Sequence, residues 1–190
     1  MIVRTAGPED RQAVLDVLTV AFAADPVVRY WWPKAGDFLH WWPRYVEAMG
    51  EAGLAGGTAT IADGEEGAAI WLAPGVEPDA ERIAALGLTR SEDEARAGAA
   101  LRAEMERYHP AEPHWYLWTL GVDARTQGRG VGSAVLRHTL ARIDEAGAVA
   151  YLEASDPKNV PFYERHGFEA LGIIEVADIP PLVPMIRRPA

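Results

Sequence analysis

His114-Trp-Tyr-Leu-Trp-Thr-Leu-Gly-Val122, Asp123-Ala-Arg-Thr-Gln127-Gly128-Arg129-Gly130-Val131-Gly132-Ser133, Tyr151-Leu-Glu153-Ala-Ser155 and Asn159-Val-Pro-Phe162-Tyr163-Glu-Arg-His-Gly167-Phe168 decide how this chain is read. Residues 115–122 are aromatic and β-branched without a charge, the pattern of a central strand covered on both faces. Glycines then fall at alternate positions, 128, 130 and 132, immediately before a helical pattern that places Val131, Val135, Leu136, Leu140 and Ile143 on one side. Gly147 is suited to a left-handed helix C-cap. Glycine at a strand-to-helix turn lets backbone approach a ligand, and the free amides of the first helical turn then face an anion together with the positive end of the dipole. A diphosphate fits such a turn.

Spacing separates three glycine patterns. A Walker loop is excluded because no Gly-Lys-Ser/Thr follows the turn. The dinucleotide fingerprint, Gly128-x-Gly130-x-x-Ser133, lacks its third glycine, although Glu153 stands where a ribose-binding acid would. Too little chain remains after that strand for a doubly wound sheet. The third pattern, Gln127-x-x-Gly130-x-Gly132, strongly resembles the coenzyme A pyrophosphate turn of GNAT-type N-acetyltransferases. Asn159-x-x-Phe162-Tyr163-x-x-x-Gly167-Phe168 resembles the same family's segment in which an asparagine meets the coenzyme arm and a tyrosine lies beside the sulfur. From residue 109 to 168 the wording is also similar to puromycin N-acetyltransferase and its relatives.

The resemblance implies one GNAT acyl-CoA N-acyltransferase domain over residues 1–190, with its coenzyme-binding core at 114–168 and acceptor-side residues at about 20–50. The fold would be α/β (α+β): a mixed, mostly antiparallel sheet flanked by helices, with residues 115–122 and 149–155 forming a splayed parallel pair. It implies acetyl-coenzyme A as co-substrate and no metal. The coenzyme would lie against Leu120, Gly121, Val122, Gln127, Gly128, Arg129, Gly130, Val131, Gly132, Ser133, Asn159 and Phe162, with Gly121 easing a bulge or close approach. Tyr163 is expected to protonate the leaving thiolate and Glu153 to act as base or amine anchor, with His114 as an alternative base. The oxyanion donor is expected from a backbone amide of residues 115–122.

With 190 residues, no cysteine and a formal charge of −10, the chain has no disulfide framework and no cysteine nucleophile. The acidic balance argues against a nucleic-acid partner and favours a small cationic acceptor. Locally the sign inverts, with Arg125, Arg129, Lys158 and Arg165 flanking the two motifs. The first residues carry no apolar signal core, and no stretch reads as membrane-spanning, so the expectation is a cytoplasmic protein without a membrane partner. A homodimer is compatible with the sequence.

Elsewhere, residues 2–6 read as a strand and Pro8-Glu9-Asp10 as the opening of a helix that stops before Pro26. Tyr30, Trp31 and Trp32 follow a helix exit and are candidates for an apolar acceptor pocket, equally matched by core filling. Phe38, Trp41, Trp42 and Tyr45 keep helical spacing and read as core, with Pro43 kinking or restarting their helix. Residues 58–62 and 68–73 read as a hairpin turning at Asp63-Gly64, and 78–108 as helical with breaks near Gly87 and Gly98. Residues 172–176 and 183–187 complete the strands, with Pro180-Pro181 between them. The function expected is N-acetylation of a small-molecule amine, antibiotic- or metabolite-like. The alternatives are acetylation of protein N-termini or lysines, and a coenzyme-binding protein without turnover.

Overall fold

The computed structural model describes residues 1–64 and 66–189. β1 (Val3–Thr5) leads through a single turn of tighter helix, Pro8–Asp10, into α1 (Arg11–Ala21). The Asp10 carboxylate accepts the Gly7 amide at 2.8 Å and holds Arg4 of β1 at 2.7 Å, which fixes the entry to α1. α2 (Pro26–Trp31) was not expected. Asp25 is extended, as a residue before proline should be, but its carboxylate caps Val28 N–H at 2.9 Å, so Pro26 opens a new helix instead of only ending the old one. α3 (Ala35–Ala55) runs unbroken through Pro43.

β2 (Ala59–Ala62) and β3 (Gly67–Leu72) pair antiparallel around Asp63-Gly64, a connection that also includes residue 65, outside the described residues. α4 (Ala80–Ala85) ends at Gly87, whose φ is +64°. α5 (Glu92–Tyr108) does not break at Gly98, because Ser91 and Glu94 form a reciprocal capping box and the residues around the glycine are good helix formers. β4 (His114–Val122), α6 (Val131–Glu145), β5 (Val149–Ala154) and α7 (Val160–Glu164) follow as read, and Gly147 has the left-handed φ of +58°. β6 (Glu169–Ala170), β7 (Ile174–Val176) and β8 (Ile179–Arg187) close the chain. Pro180 and Pro181 lie inside β8, not between strands. The stretch that pairs with β5 begins only at Val183, so neither proline has to donate to that ladder.

The strands form one sheet in the order β1-β2-β3-β4-β5-β8-β6, with β7 on β8, and every pairing is antiparallel except β4 with β5. β3 is buried along its whole length. Ala69 and Trp71 face α6, while Ala68 and Ile70 face α1 and α3. Fully burying side chains such as Trp71 and Ile70 contributes roughly 1.5–3 kcal/mol each, which makes this two-sided packing the main support of the sheet. A third apolar cluster, Leu101 with Val27, Ile174, Ile179 and Leu182, holds α5 and α2 over the β7–β8 end. Among the described residues no helix is long and apolar enough to cross a membrane.

Candidate active site

β4 and β5 pair only at His114, Trp115 and Tyr116 with Val149, Ala150 and Tyr151. Beyond that point they diverge, so residues 117–122 of β4, Leu120 and Val122 included, keep β3 on one side and, among the described residues, have no strand on the other. The bulge in β4 lies at Trp118: Ile70 pairs with Thr119 and Trp71 with Leu117, leaving Trp118 as the extra residue. Gly121 therefore does not ease a bulge, and it pairs regularly with Ala68. A Cβ there would stand 2.6 Å from that of Ala21, so its close approach is to α1.

At the open end of this gap, Gly130 is the N-cap of α6 with a φ of +85°, and its side provides no capping group. The first amide of α6 to find a backbone acceptor is that of Ala134, on Gly130 O at 3.0 Å, leaving those of Val131, Gly132 and Ser133 free for an anion. Gly128 has a φ of +76°, and a Cβ on it or on Gly130 would meet nothing, so backbone sign, not crowding, selects glycine at both. Gly132 is the crowded one: a Cβ would come within 3.3 Å of Val122 and 3.4 Å of the Phe162 ring. Phe162 thus seats α7 on α6 and brings the two sequence motifs together. Arg125 is tied to Asp123 at 2.6 Å, and Lys158 lies 4.0 Å from Asp156, so the local excess of positive charge is smaller than the sequence implies. Arg165 and Asn159 line the cleft.

Tyr163 is buried and lines the same cleft. Burial, with Asp25 nearby, pushes its phenol well above the ordinary value, which keeps it protonated. Asp25 accepts the Ser155 hydroxyl at 2.5 Å while capping α2. Its own pKa is raised, chiefly by burial. Sequence reasoning used Asp25 only to end a helix, and the Asp-Pro pair was the available sign of a helix start facing the site.

The Glu153 side chain is 2% exposed and does not serve backbone donors. Tyr116 donates its hydroxyl to Oε2 at 2.7 Å, and His109 Nε2 lies 3.2 Å from Oε1, which has no aligned donor. Burial works against the His109 charge, but Glu153 outweighs it and leaves the imidazole pKa raised. Tyr116 is pushed well above its usual range by burial and then by Glu153. Glu153 faces the cleft and His109 stands behind it. His114, whose Nδ1 lies 2.9 Å from Glu112 O, also stays behind the cleft wall and is not placed to serve as base.

The cleft, about 1590 Å³, continues from the α6 turn past Tyr163 into an aromatic chamber. Trp31 and Trp32 line it, but Tyr30 does not; it is turned aside against the edge of Trp31, with ring centroids 5.0 Å apart. Trp42 and Tyr45, read as core, are both core and wall, and the bulged Trp118 stacks on Trp42 at 6.4 Å. Arg90 lies 4.4 Å over Trp31. Among the described residues no group of three or more metal-ligating side chains is assembled.

The chain is similar along nearly its whole length to a solved structure described as histone acetyltransferase HPA2 and related acetyltransferase from Corynebacterium glutamicum. That match is 30% identical, with a TM-score of 0.72, covering 99% of this chain and 96% of that one. The fold is shared with a polyamine N-acetyltransferase of Drosophila melanogaster, 13% identical at a TM-score of 0.66 over 98% of this chain and 99% of that one. It is shared too with arylalkylamine N-acetyltransferase 2 of Aedes aegypti, 15% identical at 0.67 over 98% of each chain. An uncharacterized N-acetyltransferase of Schizosaccharomyces pombe is 33% identical over 78 residues, 40% of this chain; the match spans about a third, 32%, of that relative's length. A model of the acetyltransferase (GNAT) family matches residues 38–168, and with the splayed β4–β5 pair and the open α6 turn this places the chain in that family, as an N-acetyltransferase.

Proposed function

We propose that the protein transfers an acetyl group from acetyl-coenzyme A to the amine of a small, antibiotic- or metabolite-like molecule. The observation that carries this is the convergence of two features on one gap: the uncapped first turn of α6 at its mouth and the protonated Tyr163 along its wall. In this reading the backbone of Gln127, Gly128, Arg129, Gly130, Val131, Gly132 and Ser133 holds the diphosphate. Leu120, Val122 and Asn159 line the coenzyme arm, Phe162 fixes the angle between α6 and α7, and Gly121 contributes backbone only. Acetyl-coenzyme A supplies the activated acyl group.

The residues then divide the proton work. The attacking amine must be neutral, and the Glu153 carboxylate, which lines the cleft, accepts its proton, with His109 behind it balancing the charge. A backbone amide of β4 beyond the bulge receives the oxyanion. Tyr163 Oη gives its proton to the departing sulfur, and the nearby Asp25 helps to keep that proton in place beforehand.

Acetylation of a protein amine is the second reading, favoured by the description of the Corynebacterium glutamicum structure. The walled aromatic chamber supports the small-molecule reading, because a peptide needs an open groove. Incubation with acetyl-coenzyme A and either an amine library or a histone tail peptide, read by mass spectrometry, tests both. Acetylated small amines are expected. Modification of the peptide alone overturns the proposal, and tight coenzyme binding without thiol release for any amine returns the protein to a binding role.

A further inference from the structure

Two cations, Arg90 and Arg102, line the aromatic chamber. Arg90, in the connection between α4 and α5, lies 4.4 Å over the Trp31 ring and 5.6 Å from that of Trp32. Arg102, one α5 residue away from the buried Leu101, reaches the same cleft. Among the described residues neither guanidinium has a carboxylate within 4.0 Å, in a chain that carries 28 acidic residues. The nearest acid lining the chamber, Glu94, spends Oε2 on the amide and hydroxyl of Ser91 in the α5 cap, at 2.7 and 2.9 Å.

Both arginines line the cleft beside the half-buried Tyr45 and act electrostatically on it, and Arg102 acts on Arg90. Burial makes the Arg90 charge costly, which lowers its pKa. A half-buried guanidinium over indole faces, with a second, exposed one lining the same cleft, forms a receptor for a planar anion, since a guanidinium offers a carboxylate two parallel N–H donors. Their distance from the chemistry follows from α2. Asp25, beside Tyr163, stands six residues before Trp31, which at about 1.5 Å per residue is roughly 9 Å.

We propose that the acceptor is zwitterionic: an amine whose apolar, ring-sized body ends, on the side away from the amine, in a carboxylate held by Arg90 and Arg102. This rests on the acetyl-transfer reading and narrows it, and it departs from the purely cationic acceptor that the net charge suggests. The Trp31, Trp42 and Trp118 rings pack the body, Glu153 faces the amine, and the carboxylate replaces the missing counter-ion.

The matched probes are phenylpropylamine and para-(aminopropyl)benzoate, which adds only the carboxylate, each assayed with acetyl-coenzyme A by thiol release. The carboxylated amine is expected to show kcat/KM about tenfold or more above its parent, the size of a charged hydrogen-bonded contact. That ratio is expected to collapse towards one in Arg90→Gln and in Arg102→Gln, the second of which changes an exposed position that cannot disturb the core. A ratio near one in the unaltered protein, or a ratio that survives both substitutions, overturns the proposal. If neither amine releases thiol, the transfer reading is at fault, and quenching of tryptophan fluorescence by phenylpropanoate against phenylpropanol decides the anion site separately. Carboxylate binding lost in the double variant upholds the site, and equal or absent binding of the two rejects it.

Discussion

On one side of the cleft, residues 120–133 and 159–163 are two short runs whose backbone shape does most of the work: a positive φ at Gly128 and Gly130, an uncapped helix and Phe162 seated on Gly132. On the other side, Trp31, Trp42, Arg90 and Trp118 arrive from α2, α3, the α4–α5 connection and the bulge of β4. The proposed coenzyme side is local in sequence, and the proposed acceptor side is assembled from distant segments by side chains alone. Changes on the first side should therefore alter every reaction alike, whereas changes on the second should alter the choice of acceptor.

The sharpest break in that contrast would come from Tyr163→Phe, which removes a hydroxyl and leaves the ring packed against Phe162 and Phe168. Its kcat is expected to fall by roughly 10²-fold or more for all acceptors, with coenzyme affinity nearly unchanged. The loss should shrink with a thioester whose thiol is more acidic. A fully active Phe variant places the acid elsewhere.

Glu153→Gln comes next, with kcat/KM expected to drop at least about tenfold and most at low pH, where the amine is most often charged. It should also change the stability profile. The His109 pKa is raised above its ordinary 6.5, so this pair stabilises fully below that value and the contribution fades as pH rises through the folded value. Thermal melts of the Gln variant should lose that acid-side gain. An unchanged melting profile would mean that His109 and Glu153 are not coupled.

Trp31→Ala tests the acceptor side. The acceptor KM should rise by roughly tenfold, in keeping with about 1–3 kcal/mol of apolar contact, while coenzyme affinity stays put. An equal fall in coenzyme affinity would erase the distinction between the two sides.

Gly130→Ala should cost about 1 kcal/mol, because its φ of +85° strains any residue with a Cβ, and should weaken coenzyme binding several-fold. Open space around that Cβ excludes a steric cause. Calorimetry of coenzyme binding to the folded variant measures it. Smallest of all is Asp25→Asn. Burial raises the Asp25 pKa above its ordinary 3.8, so the acid contributes most stability below that value and loses it as pH climbs. Asparagine caps a helix as well as aspartate does, and the variant should match or slightly exceed the parent in melting temperature at neutral pH. A clear loss there would show that the ionised form, hydrogen-bonded to Ser155, is what the fold requires.

The sequence alone determined the parts whose physics is contained in a few neighbouring residues: the β4 strand, the glycine turn, α6 with its Gly147 stop, and α7 with Tyr163. Periodicity, caps and positive-φ glycines are local rules, so spacing suffices to read them. Elsewhere local rules misled. Asp25-Pro26 was read as a stop and is also a start, Pro180-Pro181 sits inside β8, and the bulge of β4 falls at Trp118 instead of Gly121. Only the tertiary structure decided which aromatics face the cleft, because Trp31 and Tyr30 are neighbours on one short helix and just one of them lines it. It alone paired Glu153 with Tyr116 and His109, brought Asp25 beside Tyr163, and set Arg90 and Arg102 on one cleft with, among the described residues, no salt bridge to either. Each of those depends on contacts between residues far apart in the chain, whose direction is set by how helices pack across the sheet and leaves no periodic trace in the sequence.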